Sequence, residues 1–148
     1  MVDQRAKGAR GEYKVRDLLR DKTGLKFERV PASGALPYLK GDLFIPPTDN
    51  CDFCIEIKNY KESAINDKIL TNKSNNFVIW WNRIRVQAPQ NDKKPLLFCK
   101  YDRSKIFVAT EIKPLNTEKY MFIGSLKCYI IEAEEWLKME KIEWLKEL

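Results

Sequence analysis

The chain has 148 residues, 44% hydrophobic and 32% charged, the make-up of one globular domain with a full core. It contains no histidine, which excludes Ser-His-Asp triads, HNH-type nucleases, histidine general acid–base chemistry and His-ligated zinc or iron, so any hydrolysis must run on carboxylates, lysine and metal. The net charge is +6, but residues 132–148 hold six Glu and three Lys, leaving +9 on the rest, a charge suited to nucleic acid.

A first helix is predicted from about Gln4 to Asp21, with Val15, Leu18 and Leu19 as its apolar stripe and Thr23-Gly24 as its end. Glu12 lies on the same side as Val15 and Leu19, facing the core, where an acid is either half of a buried ion pair or part of a site. Leu25 to Val30 reads as a strand, Pro31 to Lys40 as a loop, and Leu39 to Ile45 and Phe53 to Asn59 as two more strands. Tyr60 to Asn76 is polar loop with a short helical turn. A second helix starts after an Asn cap at 75 or 76 and reaches Ala88, with Phe77, Trp80, Trp81, Ile84 and Ala88 on the 3.6 period; tryptophans so placed read as core rather than base-stacking residues. Pro95 to Tyr101 and Lys105 to Thr110 form a hairpin over Asp102-Arg103-Ser104, and Cys128 to Ile131 is a further strand. Glu132 to Leu148 reads as a helix whose apolar residues cover more than half its circumference, wider than one packing stripe. Burial against both the body and a second subunit would account for that width.

The order α-β-β-β-α-β-β, plus the extra C-terminal helix, predicts an α/β fold: a central mixed sheet flanked by helices. One domain over residues 1–148 is expected, with 117–148 as a C-terminal addition and possible dimerisation element. No apolar run reaches membrane-spanning length, and the N-terminus lacks a secretory apolar segment, so an intracellular, cytoplasmic chain with no membrane partner is expected. Cys51 and Cys54 form a lone CxxC that could join Cys99 and Cys128 at a zinc ion, but the apolar strands around Cys54 and Cys99 favour packing as small hydrophobes.

The chemistry concentrates at Gly41-Asp42 and, fourteen residues on, Glu56-Ile57-Lys58. In the strand Asp52–Lys58, alternation puts Phe53, Ile55 and Ile57 on one face and Cys54, Glu56 and Lys58 on the other. Pairing of this strand with the short run Leu43-Phe44-Ile45 would converge Asp42 and Glu56. Two converging carboxylates need a proton or a cation between them. Hard oxygens with few protein contacts suit Mg²⁺.

Asp42, Glu56 and Lys58 resemble the PD-(D/E)XK nuclease signature, with Gly41 where that superfamily often has proline. The upstream Lys7-Gly8-Ala9-Arg10-Gly11-Glu12 and the loop Pro31-Ala32-Ser33-Gly34 resemble archaeal and phage Holliday-junction resolvases, over roughly residues 5–115. The resemblance implies a restriction-endonuclease-like core and a Mg²⁺-dependent endonuclease that hydrolyses DNA phosphodiester bonds to a 5′-phosphate and a 3′-hydroxyl. It implies one or two Mg²⁺ ions (Mn²⁺ as a substitute) on Asp42, Glu56 and the Ile57 carbonyl, with Glu12 completing the site. Lys58, flanked by carboxylates, takes an electrostatic role, neutralising the phosphate or orienting water. Branched DNA as substrate and a homodimer with paired sites follow from the resolvase likeness. A sequence-specific restriction or homing-type endonuclease of the same fold is the alternative, and a non-catalytic DNA-binding module is the second. Candidate DNA contacts are Arg5, Lys7 and Arg10 at the start of the first helix, Ser33 and Lys40 beside the site, and Lys61, Arg83 and Gln87 further along.

Overall fold

A computed structural model describes residues 4–31, 41–47, 50–139 and 142–146, with side chains in the first segment from Ala6 onward. Seven strands form one sheet in the order β1-β2-β3-β4-β5-β7-β6. They are β1 (Glu28–Arg29), β2 (Leu43–Phe44), β3 (Phe53–Tyr60), β4 (Lys94–Tyr101), β5 (Phe107–Thr110), β6 (Tyr120–Ile123) and β7 (Cys128–Glu132). Only β3 and β4 run parallel. A parallel pair needs a crossover, and α2 (Asn76–Gln90) supplies it. The Asn75 side chain caps α2 by accepting the Val78 N–H at 3.1 Å. The other helices are α1 (Gln4–Thr23) and the single turn α3 (Ala133–Trp136).

Each face of the sheet carries its own core. On one side Val15 and Leu19 of α1 pack with Phe53, Ile55, Ile57, Leu96, Phe98, Val108 and Ile131. On the other Phe77, Trp81, Ile84 and Ala88 of α2 pack with Cys54, Leu97, Cys99, Ala109, Cys128 and Ile130. Strand alternation along β3 divides its residues between the two cores. Cys51 and Cys54 therefore belong to opposite layers, and among the described residues no group of three or more His, Cys, Asp or Glu is placed to hold a metal. All four cysteines are buried.

Three expectations need correction. First, the strand expected over Leu25–Val30 is only Glu28–Arg29, and the one expected over Leu39–Ile45 covers Leu43–Phe44 among its described residues 41–45, Leu39 and Lys40 lying outside the described residues. Second, β6 lies in a stretch that the sequence pattern leaves unassigned. Third, the helix expected over Glu132–Leu148 stops at Trp136. The chain then returns to the beginning of β3, where Leu145 bridges Cys51, Asp52 N–H donates to the Trp144 carbonyl (2.8 Å) and Lys146 N–H to the Asn50 carbonyl (2.8 Å). Trp136 and Trp144 enter the α1-side core, and Leu137, Met139 and Ile142 pack against it. Of the wide apolar spread, Trp136, Leu137, Met139, Ile142 and Trp144 thus pack within this chain, while Leu145 is 46% exposed. Among the described residues no helix is long and apolar enough to cross a membrane.

Candidate active site

The antiparallel ladder between β2 and β3 ends at Leu43↔Ile55. There the chain turns through Gly41, whose φ of +84° suits glycine and is closed to proline. A Cβ at Gly41 would also sit 2.5 Å from the Ile55 carbonyl oxygen. This close approach explains glycine where the superfamily often has proline. It seats Asp42 directly on β3: its N–H donates to the Ile55 carbonyl (2.6 Å), and its Oδ2 accepts the Ile57 N–H (2.7 Å). The carboxylate takes over the hydrogen bond that a longer β2 would have supplied.

Glu56 and Lys58 follow on β3, with the Lys58 ammonium 3.7 Å from Glu56. Gly8 and Glu12 of α1 complete a cleft with Asp42, Glu56, Ile57, Lys58, Asn59 and Tyr60. Gly11 lets α1 approach this closely, since a Cβ there would meet the Asn59 Cβ at 2.7 Å. Asn59 Nδ2 in turn donates to the Lys7 carbonyl at 3.0 Å.

Burial first, then the neighbouring Glu56 charge, pushes the Asp42 carboxyl up to about 8, opposed by its bond to Ile57 N–H. Burial also raises Glu56, while Lys58 and then Arg83 pull it back down. This pair holds a proton near neutrality, a place that a divalent cation can take. Glu12 faces both acids but is engaged by Arg29, at 2.7 and 3.0 Å. The two readings of Glu12 therefore hold together: it is half of a partly buried ion pair and a neighbour of the site. Two hard carboxylates, with room for water and phosphate, match how Mg²⁺ is usually held.

The candidate DNA contacts divide. Lys7 is 7% exposed and paired with Asp102, so its ammonium serves α1 packing and is closed to a phosphate. Arg10, Lys61 and Arg83 are exposed, and Arg83 acts on Glu56. Gln87 shares the α2 face of Trp80 and Arg83, about two turns beyond Trp80. The Arg5 side chain, Ser33 and Lys40 lie outside the described residues. Sequence reasoning missed Arg29, which lies opposite Leu43 in the β1–β2 register and orients Glu12. It also missed the placement of Trp80: Trp81 is fully buried, whereas Trp80 is partly buried with its ring centre 5.8 Å from the Lys58 ammonium. One signal was present, since adjacent helix residues differ by about 100° and cannot share a face.

Protein D14 of Escherichia phage T5 is 34% identical over 154 residues, covering 96% of each chain. The structure of Hjc, a Holliday junction resolvase from the archaeal hyperthermophile Archaeoglobus fulgidus, aligns with 87% of this chain and 91% of its own, at 17% identity and a TM-score of 0.45. The family described as "Phage putative PDDEXK endonuclease" matches residues 3–145, the last strand and its C-terminal return included. With Asp42, Glu56 and Lys58 gathered on one strand end, the chain belongs to this family of phage PD-(D/E)XK endonucleases.

Proposed function

We propose that the protein is a Mg²⁺-dependent DNA endonuclease selective for branched DNA, of the Holliday-junction resolvase type. The observation that carries the reading is the convergence of Asp42 and Glu56 in a half-buried cleft beside Lys58, with Glu12 behind them. Asp42, Glu56 and the Ile57 carbonyl would hold the ion. When bound, Mg²⁺ supplies activation of water and neutralisation of charge on the phosphate. Lys58 places an ammonium beside the scissile phosphate and offsets the negative charge that builds there. Asp42 is positioned by the Ile57 N–H, and Glu12 by Arg29, so the acids keep their arrangement before substrate arrives. Arg10, Lys61 and Arg83 supply charge for the flanking phosphates, with Gln87 as a further contact.

Symmetric cutting of a junction requires two sites, hence a homodimer. Leu70, Met121 and Phe122 border one groove and are exposed, an apolar surface compatible with such a second copy. The expected location is the cytoplasm of the host cell.

The test is incubation with Mg²⁺ and three DNAs: a four-way junction, linear duplex and single strand. Paired nicks in the junction are expected; a unique cut in a long duplex would select the sequence-specific alternative instead. Asp42→Asn and Lys58→Ala should each abolish cutting yet still bind DNA in gel-shift titrations. Full activity in either variant would remove this mechanism.

A further inference from the structure

Beside the carboxylates lies an aromatic pair that the cleavage chemistry does not use. Tyr60 ends β3, two residues past Lys58 and on the same face of the strand. Its ring stacks on Trp80 of α2, with centroids 4.8 Å apart and planes 27° from parallel. Trp80 packs with one side against the α2 core, whereas Tyr60 is 39% exposed. Tyr60 borders both the carboxylate cleft and a shallow cleft formed with Lys61, Glu62, Asn76 and Trp80. Trp80 is partly buried and Tyr60 belongs to neither core, so Tyr60 presents the aromatic surface of the pair to solvent beside the carboxylate cleft. Lys58 and Lys61 flank the pair along the chain, which suits a strand whose phosphates run past it while a base lies on the rings.

We propose that Tyr60 and Trp80 form a stacking platform for an unpaired base next to the scissile phosphate. Bases inside a continuous duplex already have both faces covered by their neighbours. Only a base freed at a branch point, fork or single-stranded segment can offer a face to Tyr60. The platform therefore selects DNA that is locally unpaired at the cut, independently of sequence, since every base has such a face. The proposal rests on the nuclease reading above and adds the residues that distinguish branched from continuous DNA.

The experiment measures binding of full-length protein carrying Asp42→Asn, which holds substrate uncut. Two probes of equal length are compared, a forked oligonucleotide and its fully paired duplex. The Asp42→Asn protein is expected to prefer the fork. Adding Tyr60→Leu or Trp80→Leu should reduce that preference by on the order of tenfold, the worth of one base stack. Adding Tyr60→Phe, which keeps the ring, should retain it. Because Tyr60 is half exposed at a strand end, its Leu variant decides the matter even if Trp80→Leu fails to fold. A preference unchanged by Tyr60→Leu, or an equal loss with Tyr60→Phe, would overturn the platform alone; no preference in the Asp42→Asn protein would overturn the platform together with the branched-DNA selectivity. Failure to bind either DNA would overturn the nuclease reading with it.

Discussion

Asp42 binds a proton in the folded protein at pH values where an unfolded chain has lost it. Its carboxyl is raised from an ordinary 3.8 to about 8, by burial first and by Glu56 second. Between those values the native state holds more protons than the unfolded one, so stability falls as pH rises through the window. Glu56 is displaced in the same direction and adds to the slope. A divalent cation that replaces the proton binds the native state only, and its contribution grows as pH rises. Thermal unfolding in EDTA should therefore show a midpoint that declines from pH 5 to pH 8, and saturating Mg²⁺ should flatten the decline. A midpoint independent of pH in EDTA would contradict the buried acid pair. Asp42, Glu56 and Lys58 were legible from the sequence because strand alternation and a short antiparallel pairing are local rules. Arg29 was not: its partner Glu12 is seventeen residues away, and only the packing of α1 on β1 brings them together.

At the scale of elements, α1, α2 and β3 to β5 follow their sequence patterns because each has a clear period and a cap or turn at its end. The C-terminal segment does not. Trp136, Leu137, Met139 and Ile142 have helical spacing, yet pairing of Trp144–Lys146 with Asn50–Asp52 outweighs that propensity. The aromatic contacts make the reason concrete. Phe53 of β3 lies 6.2 Å from Trp136 and 5.1 Å from Trp144, and Phe27 lies 5.4 Å from Trp144. β6 was missed for a different reason: its burial runs from partly buried through two exposed residues to buried, with no period of two. Trp136 is fully buried, so Trp136→Ala should cost about 3–5 kcal/mol, as for other large core truncations. Urea unfolding measures this. A loss under about 0.5 kcal/mol, the range of surface substitutions, would show that the C-terminal tryptophans are not core.

Over the whole molecule, charge is unevenly distributed. The net +6 conceals an acidic C-terminal segment and a body at +9, and the exposed Arg10, Lys61 and Arg83 lie on the body. Lys7, by contrast, is withdrawn to Asp102 and contributes little to the outer field. If the body tracks a phosphate chain, the logarithm of the binding constant should fall with the logarithm of salt concentration at a slope steeper than about −3, three or more phosphates being neutralised. Arg83→Ala should make that slope shallower by about one. A flat titration would dissociate the basic body from DNA.

The bridge between Leu145 and Cys51 gives the protein an order of events during synthesis. The strand bearing Glu56 and Lys58 is made well before the residues that pin its first end, Leu145 lying 94 positions after its bridge partner Cys51. Such distant pairing carries a loop-closure cost and forms late. A nascent chain that has not reached Leu145 has β3 unsecured at its start and the Trp136–Trp144 core unfilled, so cutting power is expected only after that pairing forms.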